Sequence, residues 1–409
     1  MTFSASLTQT GQDCRGCWDT AMKILVLAIV SINTVVLPIL WYSGIHPDFN
    51  TVRQFGRLFA MGENVYQGGN PYLPSSLVFW VPFGLLDRDV GWAVWKLLGV
   101  LVCVFALKVA FDFVSERAPA RYAWLSLLNL GILAGFTAKS GNPGNFAAPL
   151  AFASCLLACQ GKSVGGILLG IACAIKYPLA LPCVLFLLFA RQIKPAVVAI
   201  TVFFSMNIAG IAWLAVNGVD PLEIPKSVMS GVVHVGGYDE TGFSAHFAAQ
   251  ARGKYSTLAA VSLWNTAGLS RESAQMLNLV LLGIVAIVSA VLAAKKRQAW
   301  ITMAVFAPAF LTLTYHRYYD SALIGFSIVL AWICLARDSG LTIFIPATII
   351  AFSGFLIRSV AYSIVYRLDP SPSFLEGTFY NFIVGPIHIY SLLLIAVLAF
   401  VLATRYKDS

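Results

Sequence analysis

The chain has 409 residues, 59% of them hydrophobic and only 11% charged, with a mean hydropathy of +0.80. Soluble domains carry about 25% charged residues, so a soluble enzyme is excluded, and a transmembrane β-barrel would need short alternating segments in place of long apolar runs. The net charge of +9 calls for no nucleic acid, because loops on the inner side of a membrane collect Lys and Arg.

Apolar runs near the length of a bilayer span, about 20 residues each, recur from 22 to 403 and predict an all-α polytopic bundle of about 12 transmembrane helices. Ahead of the first run stands Cys14-Arg-Gly-Cys17. With no second pair it is weak as a metal site. The first span, 22–44, is long enough to cross and lacks the cleavage site of a signal peptide. A long loop, 45–89, follows. It opens on "GIHPDFN" and closes on the apolar stretch "PSSLVFWVPFGLL" at 74–86. That stretch is short for a span and reads as a helix at or dipping into the interface. Spans are expected next at 90–113, 121–138 and 145–160.

The run 163–190 is interrupted at "KYP". It reads as two short helices, 163–175 and 178–190, that meet at the outer face. Span 195–217 then leads into a second long loop, 218–274. Spans at 275–294, 299–314, 319–336, 341–366 and 383–403 complete the bundle. Residues 1–409 form a single unit on this reading. Cys103, Cys155, Cys159, Cys173, Cys183 and Cys334 fall inside spans, where cysteine packs as a small apolar residue.

Charge decides for the fold-back at 163–190. With both termini cytoplasmic, the inner segments carry 14 basic and six acidic residues, and the rest of the chain carries 13 and 12. One continuous span would place Arg191 and Lys194 outside, against the positive-inside rule. Inner loops are short and the two large loops face out, so the work of the protein is expected at the outer face.

Several ionisable residues gather at or just below that face: Asp48, Lys96, Lys139, Lys176, His316, Arg317, Asp320 and Arg358. Lys96 and Arg358 lie within apolar spans, where a charge costs about 2.5–3.5 kcal/mol and marks a candidate site. The alternative for both is snorkelling, with the stem buried and the head at the interface. Lys176 sits at a helix break before Pro178. Cations at one depth suit a lipid-borne phosphate, which Arg holds through a bidentate fork and Lys as a point charge. A carboxylate would repel that phosphate; it is better placed to take a proton from a hydroxyl arriving from water. The alternative for Asp48 is an N-cap of the helix that follows it.

One base and several cations suffice for an in-line displacement on a lipid-phosphate sugar. The leaving phosphate is met by fixed charge, so no metal or other cofactor is expected. A retaining hydrolase needs two close carboxylates, and no outer pair suggests itself. "DRD" at 87–89 resembles a D-x-D metal motif but sits at a turn. A transporter or flippase of a lipid-linked glycan could use the same cations. Proton coupling would call for intramembrane Asp or Glu, and Asp112 lies at an inner helix end. A non-catalytic scaffold would have no use for the outer charges.

The segment "DFNTVRQFGRLFAMGENVYQGGNPYLPSSLVFWVPFGLL" resembles the first outer loop of glycosyltransferase family 87, with its Asp-aromatic start and "G-x-(N/D)-P-Y" turn. "GKSVGGILLGIACAIKYPLALPCVLFLLFARQIKP" is similar to the family's Gly-rich helix and "K-x-x-P" break. "TLTYHRYYDSAL" resembles its "H-x-Y" segment, and "GNPGNFAAPLAF" is a looser match to a "G-(Q/N)-x-N" turn. The resemblance covers roughly 22–340 in order; the layout is also similar to the mycobacterial α-1,2-mannosyltransferases of phosphatidylinositol mannoside synthesis. It implies a GT-C fold in a bacterial inner membrane. It also implies transfer of a hexose, usually mannose, from a polyprenyl-phosphate sugar to a glycolipid or glycan acceptor. Asp48 is implied as the general base, and Lys176, His316 and Arg317 as donor-phosphate residues. Arg358 is added to them on burial grounds alone. Asn145, Tyr66 and Tyr72 are the expected sugar or acceptor contacts.

Overall fold

The computed structural model describes residues 20–41, 44–67, 70–138, 140–236, 260–314, 318–341 and 386–406. Among them the regular structure is entirely helical. In chain order the elements are α1 (Thr20–Leu40), α2 (Pro47–Ala60), α3 (Pro74–Leu85), α4 (Arg88–Ser115), α5 (Ala120–Ala138), α6 (Gly144–Cys159), α7 (Ser163–Phe189), α8 (Ile193–Val216), α9 (Glu223–Gly236), α10 (Val261–Thr266), α11 (Arg271–Lys296), α12 (Ala299–Leu313), a 3-10 segment (Tyr318–Ile324), α13 (Gly325–Arg337) and α14 (Ile387–Arg405). The second half of α1 winds as a π-helix through Pro38. Pro38 has no N–H to close a regular helical bond, which fits the wider winding.

By length and composition, seven helices among the described residues can cross a membrane, and α3, α6 and α12 are shorter apolar helices. The protein is an all-α polytopic membrane protein. The expected span at 341–366 lies, beyond Leu341, outside the described residues. α6 is buried at every position from Gly144 to Ala158, and α12 along its whole length. Apolar helices buried all round belong at the centre of a bundle. α1, α8 and α11 instead expose large apolar side chains such as Leu40, Ile208 and Ile287, as helices facing lipid do.

By length alone α7 is one 27-residue candidate span, but its contacts show that it folds back. Cys159, at the end of α6, lies with its Sγ 3.4 Å from Oε1 of Gln192, just beyond the end of α7. At the start of α7, a Cβ on Gly165 would fall 2.4 Å from the backbone N of Ala158. Both ends of α7 therefore lie beside the same end of α6. A straight helix of this length would hold them about 40 Å apart at 1.5 Å per residue. The turn is at Lys176, whose backbone leaves the helical region with φ −155° and ψ 82°. The two short helices expected from the break at "KYP" and from charge are present.

One end of the bundle gathers basic residues. There Gln160 donates to Glu116 at 2.8 Å, Arg337 donates to the backbone carbonyl of Arg117 and to the Tyr406 hydroxyl, and Lys296 donates to the Tyr406 carbonyl. The apex of α7 points the other way. At that opposite end α2 and α3 pack as a hairpin over the bundle. Their approach is very close: a Cβ on Gly56 would lie 2.3 Å from the Trp80 carbonyl oxygen, and one on Gly84 2.3 Å from the backbone N of Arg57. α3 carries the stretch expected at the interface. Its Leu77, Trp80 and Phe83 are buried in protein.

The two long loops meet at this end. Ser227 of α9 donates to the Tyr66 carbonyl at 2.6 Å and accepts from the backbone N–H of Asn70 at 3.4 Å. Trp213 of α8 donates its indole N–H to the Phe59 carbonyl at 2.7 Å, tying α2 to the top of α8.

Candidate functional site

Asp48 stands in the first turn of α2. Pro47 opens the helix, where its fixed φ suits the first position and its missing N–H costs nothing. The cap is His46, whose Nδ1 accepts the backbone N–H of Asp48 at 3.2 Å. The capping role considered for Asp48 thus belongs to His46, and the Asp48 carboxylate is left for other partners. Phe49, the next residue, is fully buried against Trp92 and Trp95 at ring distances of 5.3 and 5.5 Å. That anchor fixes the rotation of α2 and so the direction in which Asp48 leaves it.

Facing Asp48 is the turn between α5 and α6, "SGNPGN". Trp95 donates its indole N–H to the Ser140 carbonyl at 3.1 Å, and so does the Asn145 amide, also at 3.1 Å. The Ser140 hydroxyl accepts from the backbone N–H of Asn142. Asn142 Oδ1 in turn accepts from the Gly144 backbone N–H at 3.0 Å, an Asx turn that starts α6. Gly141 lets the turn approach α2: a Cβ there would fall 2.6 Å from that of His46.

Lys176 reaches this turn from the apex of α7. Pro178 has no N–H for the Ala174 carbonyl, so the helix is open there. The freed carbonyls are taken by hydroxyls at the start of α3. Ser75 and Ser76 donate to Ala174 O at 3.0 and 2.9 Å, and Ser76 also meets Ile175 O at 3.0 Å. Both serines are buried. The break is thus built in and satisfied, and it places Lys176 at the turn between the two halves of α7.

Four side chains from four parts of the chain then join. The Asn142 amide donates to Asp48 Oδ2 at 3.0 Å. The Lys176 ammonium donates to Asn142 Oδ1 at 3.3 Å and to both carboxylate oxygens of Asp320, at 3.0 and 3.2 Å. Asp320 is 1% exposed, the Lys176 side chain 16% and the Asp48 side chain 28%. Burial thus rises from Asp48 inward to Asp320. A carboxylate as deep as Asp320 needs a paired cation, and Lys176 is one. The bond pattern fixes the Asn142 amide: its oxygen faces an ammonium and an N–H, its nitrogen a carboxylate, and the flipped amide would oppose like with like.

The expected site residues fall into three groups. Asp48 and Lys176, 128 positions apart in the sequence, are brought to one cluster. His316, Arg317 and Arg358 lie outside the described residues, as does Lys139. Asn145 and Tyr66 are buried. Asn145 braces the turn through Ser140, and Tyr66 donates its hydroxyl to the Tyr72 carbonyl at 3.0 Å. Burial pushes the Tyr66 phenol above its usual range, which keeps it a donor. Tyr72 is half-buried, edge-on to Trp80 at 4.6 Å. Lys96 lies over the Trp92 ring at 5.5 Å and donates to the Ile39 carbonyl at 3.5 Å.

Asn142 and the pairing role of Asp320 were not read from the sequence. The usable signals were the Asx-turn spacing of "GNPGN" and the place of Asp320 in the same short segment as His316. Asp87, in the triplet that resembles a D-x-D motif, accepts the Asp89 backbone N–H at 2.9 Å and caps α4. No group of three or more His, Cys, Asp or Glu that could hold a metal ion occurs among the described residues.

The arrangement offers a partly exposed carboxylate and a half-buried ammonium, held by Asp320 and Asn142 and bridged to that carboxylate by one amide, at the end of the bundle opposite its basic surface. It can take a proton from an incoming hydroxyl and set positive charge against an anionic group. No curated protein and no solved structure matches the chain. The family model for Glycosyltransferase family 87 matches residues 70–297, more than half of the chain. That stretch carries Lys176 and Asn142 and stops short of Asp48 and Asp320 on either side. The chain belongs to glycosyltransferase family 87.

Proposed function

We propose that this glycosyltransferase moves a hexose, mannose, from a polyprenyl-phosphate sugar to a hydroxyl of a glycolipid or lipid-linked glycan at the outer face of a bacterial cell membrane. The observation that carries the reading is the Asp48–Asn142–Lys176–Asp320 cluster at the end of the bundle opposite the basic residues. The positive-inside rule assigns basic ends to the cytoplasm, so the cluster falls on the outer side, with both termini inside.

In the reaction Asp48 takes the proton of the acceptor hydroxyl as its oxygen attacks the anomeric carbon. The new C–O bond forms on the face opposite the departing phosphate, so the configuration inverts. The bond from the anomeric carbon to the phosphate oxygen breaks, and its electron pair leaves with the polyprenyl phosphate. Lys176 places fixed positive charge where that oxygen becomes negative. Asp320 offsets Lys176, so a phosphate with two negative charges needs more cations. His316 and Arg317, four and three residues before Asp320 in the chain, are proposed to supply them, together with Arg358. Asp48 returns its proton to solvent through its exposed edge. Tyr72 is proposed to pack on the sugar or acceptor, with Asn145 and Tyr66 bracing the walls.

The test is an assay on sealed right-side-out vesicles carrying the full chain. Labelled polyprenyl-phosphate mannose in the membrane should give labelled glycolipid with an acceptor supplied from outside. Labelling from a nucleotide sugar but not from the polyprenyl donor would overturn the reading.

A further inference from the structure

We infer that Asn142 is a positioning residue that sets the spacing between the base and the phosphate-binding cation. The inference rests on the reading of Asp48 as base and Lys176 as donor cation. A carboxylate and an ammonium on separate elements would by themselves collapse into an ion pair, because opposite charges attract at short range. Such a pair would engage the base and set a second carboxylate, beside Asp320, against the cation that faces the phosphate. Here they do not pair. Asn142 stands between them, with its N–H on Asp48 at 3.0 Å and its oxygen on Lys176 at 3.3 Å.

The residue is itself held on every side. It is 7% exposed, and its Oδ1 also accepts from the Gly144 N–H. Its backbone N–H is tied to Ser140, whose carbonyl is gripped by Trp95 and Asn145. Trp95 also packs against Phe49, the neighbour of Asp48. One indole thus registers both sides of the Asp48–Asn142 contact. The other charged or titratable groups at this contact among the described residues are His46, with Nδ1 3.9 Å from Asp48 Oδ1, and Asp320, which holds the far side of Lys176. Among the described residues only Asn142 reaches both the base and the cation through one planar group. An amide suits that position because it carries no charge of its own and presents a donor and an acceptor in fixed directions.

Asn142→Asp separates the two arms. It keeps an acceptor for Lys176 and Gly144 but replaces the donor on Asp48 with an oxygen. With polyprenyl-phosphate mannose and the full chain in lipid nanodiscs, it should lower kcat about tenfold to a hundredfold, as a lost hydrogen bond to a charged group does, and raise donor KM, because the added carboxylate beside Lys176 opposes the donor phosphate. Asn142→Ala removes both arms and should lower kcat and also raise donor KM. In an Asp48→Asn background, Asn142→Asp should cause no further loss of kcat, because residues that act as a unit are not additive. Should Asn142→Asp fail to accumulate, the kcat and KM of Asn142→Ala and its non-additivity with Asp48→Asn carry the same test. Full turnover in either Asn142 variant, with Asp48→Asn inactive, overturns the positioning role and leaves the base intact. Losses that multiply in the double variant also overturn it. Full turnover of Asp48→Asn overturns the base reading itself.

Discussion

At the scale of single residues, the environment decides what each acid does. Asp48 and Asp87 both sit at helix starts, two positions where a carboxylate is favoured by the helix dipole. Asp87 spends its carboxylate on its own helix, and the Asp89 backbone N–H holds it below the usual carboxylate range. Asp48 is relieved of that duty by His46 and faces Asn142 instead. The sequence makes Asp48 and Lys176 visible for a physical reason. One is an acid at the mouth of an apolar segment, and the other a cation at a proline break. Asn142 was not visible, because an uncharged amide in a polar turn looks like any other and its contact to Asp48 spans 94 positions. The same contrast bears on metals. Asp87 is committed to a cap and Lys176 is proposed to meet the developing phosphate charge, so transfer should persist in excess EDTA. Asp87→Ala combined with Asp89→Ala should keep its turnover. Loss of activity in chelator, restored by Mg²⁺ or Mn²⁺, would contradict this and would recast Asp48 as a metal ligand.

At the scale of elements, two devices position the site. One is the hairpin of α7. Its fold-back was legible from the break at "KYP" together with charge, since Arg191 and Lys194 had to return to the side of Lys162. What charge could not reveal is how the break is satisfied: Ser75 and Ser76 come from a helix a hundred positions earlier and cover the carbonyls that Pro178 leaves open. The other device is the α2–α3 pair, which carries Asp48 at one end and those serines at the other. Its helices touch backbone to backbone at Gly56 and Gly84, where a Cβ would meet carbonyl oxygen or amide nitrogen at 2.3 Å. Neither neighbour is a side-chain tip that can swing aside. Gly56→Ala should therefore destabilise by about 1–3 kcal/mol, the range for overpacking a close contact. Thermal unfolding in detergent would show it as a lowered Tm. Activity should fall with it, as the pair shifts Asp48 and the serines together. An unchanged Tm would show that the two helices part without cost.

At the scale of the whole molecule, one chain separates its charges by end. Arg117, Lys296 and Arg337 interlock with Glu116 and Tyr406 at the basic end, and the ionisable cluster lies at the other. Hydropathy and the distribution of Lys and Arg were enough to read the all-α membrane class and which loops share a side. They could not show that the two long loops join through Ser227 and Tyr66, because such contacts depend on tertiary packing across 161 positions. The central claim is that Asp48 is the base of this glycosyltransferase. It is tested most directly by the turnover of Asp48→Asn with polyprenyl-phosphate mannose in reconstituted membranes, at expression and Tm matched to the unmodified protein. Removal of a general base should lower the rate about 10²–10⁴-fold. A variant that keeps more than about a tenth of the original turnover would contradict the assignment.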